Sequence, residues 1–292
     1  MEPIKEPTPL VLVTSSPHMH CGLTIGKSMR EVMLALVPAI IASVYYFRMS
    51  AAIVMVTCVV SAIVFETICN KVMHKPNTVQ DGSAALTGLL LAMCLPASMP
   101  PLFAAMGSMF AIVVGKAVFG GLGCNIFNPA HIGRAILLAS FPQQMTNWVL
   151  PATAAASDAV STATPLAVMR ATEKIWQAGG AASAAKLPDL MNLFWGNVGG
   201  SLGETCVPAL VLGGLYLIYK KLIDWRIPVF YLVTVAILTG VYGAVMGYPS
   251  TFPLYHLFAG GLMIGAFFMA TDWVTSPITK KGKIIYAIGL GV

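Results

Sequence analysis

Three hydroxyl residues and a carboxylate share one short stretch of this chain. Asp158, Ser161, Thr162 and Thr164, with Ala163 before the last, lie in a polar, alanine-rich loop. A loop hydroxyl can carry a covalent group. The plain alternative is a flexible linker, because Ser, Thr and Ala are common in loops. A second constellation occupies residues 115–135, where Gly120, Gly121 and Gly123 stand among Lys116, Asn125, Asn128, His131 and Arg134. Asn128, Pro129 and Ala130 form a helix start, with Asn as N-cap and Pro at the first helical position. Free amides at that N-terminus, with Lys116 and Arg134 nearby, favour an anionic or electron-rich ligand. The plain alternative is a tight re-entrant turn with packing glycines, and the two readings are compatible. Similar polar turns occur at 199–205, with Glu204, and at 270–277, with Asp272. Glu66, Lys116, Glu204 and Asp272 lie in or at the edges of apolar runs, where charge is costly and marks functional candidates. Snorkelling at helix ends is the competing explanation, above all for Glu66.

The elements that must position these residues are set by composition. Hydrophobic residues make up 57% of the 292, charged residues 10%, and mean hydropathy is +0.80. Soluble domains run at about 45–50% and about 25%, so the chain reads as an all-α polytopic membrane protein. Backbone amides in lipid must be satisfied internally, and continuous rather than alternating apolar runs select helices over a barrel. Spans are expected at 30–47, 51–70, 82–98, 102–119, 129–141, 205–219, 227–247, 252–271 and from 284 onward, about nine to ten in all. Short, Gly- or Pro-interrupted spans point to broken helices lining a site between two inverted halves. The organisation expected is a segment 1–29, a first membrane half 30–141, a loop 142–204 and a second half 205–292 whose last helix is cut short.

Lys and Arg mark one side. Lys5, Lys27 and Arg30 precede the first apolar run, and Lys71, Lys75, Arg134, Lys220, Lys221, Arg226, Lys280, Lys281 and Lys283 fall on the same side when spans are counted. The positive-inside rule makes that side cytoplasmic and puts loop 142–204 outside. The net charge of +6 therefore reads as membrane topology and not as nucleic-acid binding, since no basic stripe interleaved with aromatics is present. The six cysteines contain no Cys-x-x-Cys pair, so no iron–sulfur or zinc framework is visible. His18, His20 and Cys21 are thin support for a metal. His256, in an apolar span, reads as hydrogen-bonded structure.

Asp158, Ser161, Ala163 and Thr164 resemble the Asp-x-x-Ser/Thr-Gly-Ala-Thr target of the enzyme that attaches FMN to a threonine, with Thr162 in place of the usual Gly. The run Gly115-Lys116 to Ala130, this motif, the run Gly200-Ser201 to Thr205 and the run Ala270-Thr271 to Pro277 occur in that order. Together they resemble the RnfD family, the D-type membrane subunits of the Rnf electron-transport complex. That family is homologous to the B-type subunit of the sodium-pumping NADH:quinone oxidoreductase. Residues 15–20, Ser-Ser-Pro-His-x-His, also suit the Rnf family.

The resemblance implies a bacterial or archaeal inner-membrane subunit of a ferredoxin:NAD⁺ oxidoreductase that moves Na⁺ or H⁺. It implies FMN joined to Thr164 by a phosphodiester on the extracytoplasmic side, with Asp158, Ser161 and Ala163 read by the attaching enzyme. It further implies a second, noncovalent flavin, riboflavin in relatives, or a coupling site, for which Arg134, Asn128, Gly121 and Asp272 are the candidates. The partners implied are the other Rnf subunits, one of them carrying its own covalent FMN. Attachment through the phosphate leaves the isoalloxazine ring untouched, so hydrogen bonds, charge and burial tune it. Thr164 is then an attachment point and not an acid, base or nucleophile in turnover. The alternative is an inverted-repeat solute transporter or channel without a redox cofactor, which leaves the 158–164 motif unexplained.

Overall fold

A computed structural model describes residues 24–151, 161–177 and 189–292. It is a helical, polytopic membrane protein. Helix α1, Ile25–Val72, begins at Thr24, whose Oγ1 accepts from the Lys27 amide at 3.3 Å. At about 1.5 Å per residue its 48 residues would exceed twice the roughly 30 Å hydrocarbon thickness if straight. The helix breaks at Arg48, with φ 51° and ψ −134°, and Ile25 and Glu66, near its two ends, line the same cavity. The chain therefore reverses at Arg48, which separates the expected spans 30–47 and 51–70.

Helix α2, Ser83–Met93, stops inside the bundle, and α3, Pro101–Ile112, runs into a π-helical turn, Val113–Ala117. Helix α4, Pro129–Ser140, starts as its sequence dictates. Asn128 is extended, its side chain accepts from the Ala130 amide at 3.0 Å, and Pro129 opens the helix. Short α5, Pro142–Met145, precedes a two-residue ladder in which β1, Trp148–Val149, pairs antiparallel with β2, Ser161–Thr162. Helices α6, Pro165–Gln177, and α7, Leu190–Trp195, follow. The loop expected over 142–204 thus carries helical structure of its own.

The chain returns through α8, Val207–Tyr219, and α9, Arg226–Met246. The stretch expected as one span over 252–271 is broken. Helix α10, Phe252–Phe258, is bent by 65° from the run formed by α11, Leu262–Ile264, and a second π-helical turn, Gly265–Met269. Ala259 is extended and Gly260 takes φ 72°, a left-handed value that glycine adopts freely, so the helix cannot continue. Helix α12, Lys280–Gly291, is capped by the Thr279 hydroxyl. By length and composition α1 and α9 can cross a membrane, and the bent α10–α11 pair makes a third; α2, α3 and α8 are shorter apolar helices.

The core is helix on helix, with Leu36, Leu91, Leu95, Leu137, Leu202 and Leu210 almost fully buried. Close approach rests on small residues, as in membrane bundles generally. A Cβ on Gly88 would lie 2.6 Å from the Cys58 carbonyl of α1. Segments 94–99 and 199–205 meet inside the bundle. Pro96 and Ser201 form an antiparallel bridge, and the Leu202 amide donates to the Leu95 carbonyl at 3.0 Å. Irregular backbone is tolerated at such depth only where protein satisfies it.

Candidate functional site

A cavity of about 560 Å³ opens at the end of the bundle that carries Lys75 and the α8–α9 turn. Both ends of α1, the start of α2, the 112–129 segment, the end of α8 and residues 268–274 line it. Its lining combines apolar residues, Leu86, Leu90, Ile112, Leu217, Leu222 and Phe268, with polar ones, Glu66, Thr78, Ser83, Lys116, Asn125 and Asp272.

Each polar residue is placed by local backbone. The π turn at Val113–Ala117 closes through i→i−5 bonds, Val118 amide to Val113 carbonyl and Gly121 amide to Lys116 carbonyl, both 3.0 Å. The extra residue brings Lys116 against Glu66 at 2.7 Å, with side chains 5% and 4% exposed. Lys116 Nζ also donates to Ser83 Oγ at 2.6 Å, and Thr78 Oγ1 donates to Glu66 Oε1 at 2.6 Å. The chain then turns through Gly120, Gly121 and Gly123 at φ 120°, 111° and 91°, angles that L side chains rarely adopt. Lys75 Nζ clamps this turn by donating to the Gly120 carbonyl at 2.7 Å. Across the cavity, Asn125 Nδ2 donates to Asp272 Oδ2 at 3.5 Å, and the Val274 amide and Thr275 Oγ1 donate to the same carboxylate at 3.4 Å. Burial pushes the Asp272 carboxyl up, against the pull of these donors.

Gly121, Asn128 and Asp272 therefore share one cavity. Arg134 does not line it. Six residues along α4 from Asn128, Arg134 acts electrostatically on Glu204 and Cys94 inside the bundle. The turns at 120–128 and 271–274 do meet, as the Asn125–Asp272 hydrogen bond shows. The Glu66–Lys116 pairing was not legible, because the partners are 50 residues apart; two charges in neighbouring apolar runs were the only signal.

Thr164 is elsewhere. It is half-buried, and it heads α6: its Oγ1 accepts from the Ala167 amide at 3.2 Å and its carbonyl from the Val168 amide at 3.0 Å. Ser161 lies in the ladder with Val149, and Ala163 is exposed between ladder and helix. Asp158, His18, His20 and Cys21 lie outside the described residues. On α6, Glu173 lies 3.9 Å from His256 Nε2 of α10, and burial raises the Glu173 carboxyl, opposed by Arg170. Among the described residues His256 Nε2 finds no hydrogen-bond partner, and its ring packs edge-on against Phe252 at 4.6 Å. Thus α6, through Glu173, meets α10 of the broken span, and the cavity lies by that span's other end at Phe268. Among the described residues no group of three His, Cys, Asp or Glu is arranged to hold a metal.

Comparison with known proteins matches residues 12–292 to the family described as NQR2, RnfD, RnfE. The chain is 49% identical over 282 residues to the D-type subunit of the proton-translocating ferredoxin:NAD(+) oxidoreductase complex of Clostridium ljungdahlii, covering 96% of this chain and 83% of that one. It is 44% identical over 283 residues to the D-type subunit of the Na(+)-translocating ferredoxin:NAD(+) oxidoreductase complex of Acetobacterium woodii, covering 96% and 82%. It is 40% identical over 301 residues to the D-type subunit of the ion-translocating oxidoreductase complex of Rhodobacter capsulatus, covering 95% and 82%.

Proposed function

We propose that this chain, which belongs to the NQR2, RnfD, RnfE family, is the D-type membrane subunit of an ion-translocating ferredoxin:NAD⁺ oxidoreductase and carries covalent FMN on Thr164. Its partners are the other subunits of that complex, including one with its own covalent FMN. The observation that supports the attachment is the position of Thr164. The residue is half-buried and stands at the N-terminus of a 13-residue helix. A phosphate esterified there meets the positive end of the helix dipole. Pro165, which has no amide to offer, occupies the first helical position. The ladder holding Ser161 and Thr162 fixes the chain just before the attachment point.

The cavity suits a second, noncovalent flavin. Its volume falls within the roughly 300–1,000 Å³ of ligand pockets, and an apolar lining with a few polar groups matches their usual composition. Leu86, Leu90 and Phe268 would pack a planar ring system, and Asn125, Asn128 and Lys116 would offer hydrogen bonds to its polar edge. A flavin supplies one- and two-electron redox chemistry; the residues around it hold it, orient it and limit water. The Lys and Arg residues near the cavity end support a cytoplasmic position for it and an extracytoplasmic one for Thr164.

Mass spectrometry of a peptide spanning 158–170 from the purified complex tests the attachment. The peptide should carry FMN less one water, and Thr164→Val should abolish the adduct. An unmodified peptide from active complex would refute it.

A further inference from the structure

Within the bundle, away from the cavity and from Thr164, two half-buried opposite charges form no ion pair among the described residues. Glu204 closes the 3-10 turn Leu202–Glu204, and its hydrogen-bond donors are both on Ser201, with Ser201 Oγ to Oε1 at 2.9 Å. Gly200 makes room for the carboxylate, because a Cβ there would meet Oε2 at 2.5 Å. The turn is pinned from three directions. Leu202 donates its amide to Leu95, the Leu202 carbonyl accepts from Ser43 Oγ at 2.7 Å, and Gly203 packs against the Met93 carbonyl. Its electrostatic counterpart is Arg134, whose Nε is buried and has no hydrogen-bond partner among the described residues. Cys94 lies in the field of both, and His131 in that of Arg134.

This arrangement differs from that of Glu66 and Lys116. There a carboxylate touches its counter-ion, and a threonine holds the other oxygen. Arg134 and Glu204 form no ion pair among the described residues. A guanidinium stays charged at any working pH, so only the carboxylate can change its charge. Each buried charge left short of partners costs free energy, and ionisable groups within membrane spans mark ion and proton pathways. Arg134 lies about 9 Å along α4 from Asn128 at the cavity rim, at about 1.5 Å per residue. The pair therefore lies inward of the cavity, between it and the opposite end of the bundle.

We infer that Glu204 is a proton-carrying carboxylate on the ion path of the complex, with Arg134 as its fixed counter-charge. The carboxylate takes one proton from water on the cavity side, forming one O–H bond. It releases that proton to water on the far side, breaking the same bond. No electron moves in this step. Sodium fits poorly, since it needs several oxygen ligands and would stand beside a permanent cation; here Ser201 Oγ is the side-chain oxygen bonded to the carboxylate. The inference rests on the reading that the complex moves an ion, and it is independent of flavin attachment.

The test uses inside-out membrane vesicles bearing the whole complex. NADH formation driven by reduced ferredoxin is followed together with proton uptake by a pH-sensitive dye and uptake of ²²Na⁺. In Glu204→Gln, protons taken up per NADH should fall at least tenfold, while Glu204→Asp should restore at least half. Flavin fluorescence on the denatured subunit should be unchanged, and its absence from every variant would count against the Thr164 attachment alone. The inference is overturned by an unchanged proton ratio, by equal loss of NADH formation and proton uptake, or by loss of ²²Na⁺ uptake instead. Should the Gln variant fail to reach the membrane, dicyclohexylcarbodiimide on the wild-type complex decides. This reagent couples to protonated carboxyls in apolar surroundings. An adduct on Glu204 supports the inference, and an unmodified Glu204 overturns it.

Discussion

Replacing Glu66 by Gln removes the negative half of a buried ion pair and leaves Lys116 charged in a site where it is 5% exposed. At 2.7 Å the Coulomb attraction is about 6 kcal/mol for an effective dielectric of about 20. Desolvating each ion costs several kcal/mol, so the intact pair adds little net stability. Breaking it is another matter. One uncompensated buried charge costs about 3–5 kcal/mol, and Lys116→Met should cost a similar amount through the stranded carboxylate. The double variant, Glu66→Gln with Lys116→Met, removes both charges and should be less destabilised than either single. Thr78 keeps an acceptor in the Gln carbonyl, and Ser83 Oγ still donates to Asp81 at 2.5 Å, so neither is orphaned. Thermal unfolding of the purified complex can be followed with a thiol-reactive fluorophore, because Cys58 and Cys94 are buried until the bundle opens. At about 2–4 °C per kcal/mol each single should lower Tm by roughly 6–20 °C. Single variants within about 2 °C of wild type, or a double variant with the summed loss, would refute the reasoning.

Asp224, in the turn between α8 and α9, is pushed up by burial, but the Arg226 amide and the Lys283 ammonium at 3.1 Å outweigh this and hold it below the usual carboxylate range. A depressed carboxyl stabilises the fold above its unfolded value and stops doing so as pH falls through the folded one. Asp224→Asn should therefore lower Tm by a constant amount from pH 8 to 5, with wild type and variant converging only below about pH 4; a gap that closes above pH 5 would contradict it. For the topology, a membrane-impermeant thiol reagent on intact cells should label Ala181→Cys and spare Lys281→Cys, and the reverse pattern would invert the assignment.

What the sequence discloses here follows the range of the forces involved. The start of α4 was legible because Asn128 and Pro129 act within one turn, and the apolar runs were legible because lipid demands length. The role of α6 was not. Its sequence, polar on one face, reads as part of a loop until Met169 and Thr172 are seen buried side by side. The break in 252–271 lies at Gly260 and Gly261, whose effect depends on the conformation the bundle imposes. Arg134 was grouped with Asn128 by proximity in the chain. At about 100° per residue, however, six positions rotate it about 240° around α4. That rotation sends it into the interior and leaves Asn128 at the cavity rim.

The polar lining of the cavity has a common construction. Lys116 comes from the π turn at Val113–Ala117, and Thr271 and Asp272 come just past the Ala270 that caps the π turn at Gly265–Met269. A π turn inserts one residue into a helix, is rare, and tends to persist where it serves a site. In lipid the cost of irregular backbone is high, since each freed carbonyl or amide must find a partner within the protein. Two such turns lead into the same cavity, one through Lys116 and Asn125 and the other through Asp272. Packing alone would favour two regular helices there. The irregularity is understandable if the polar residues it delivers are needed in that lining, which is the arrangement a bound polar-edged ligand requires and an apolar bundle does not.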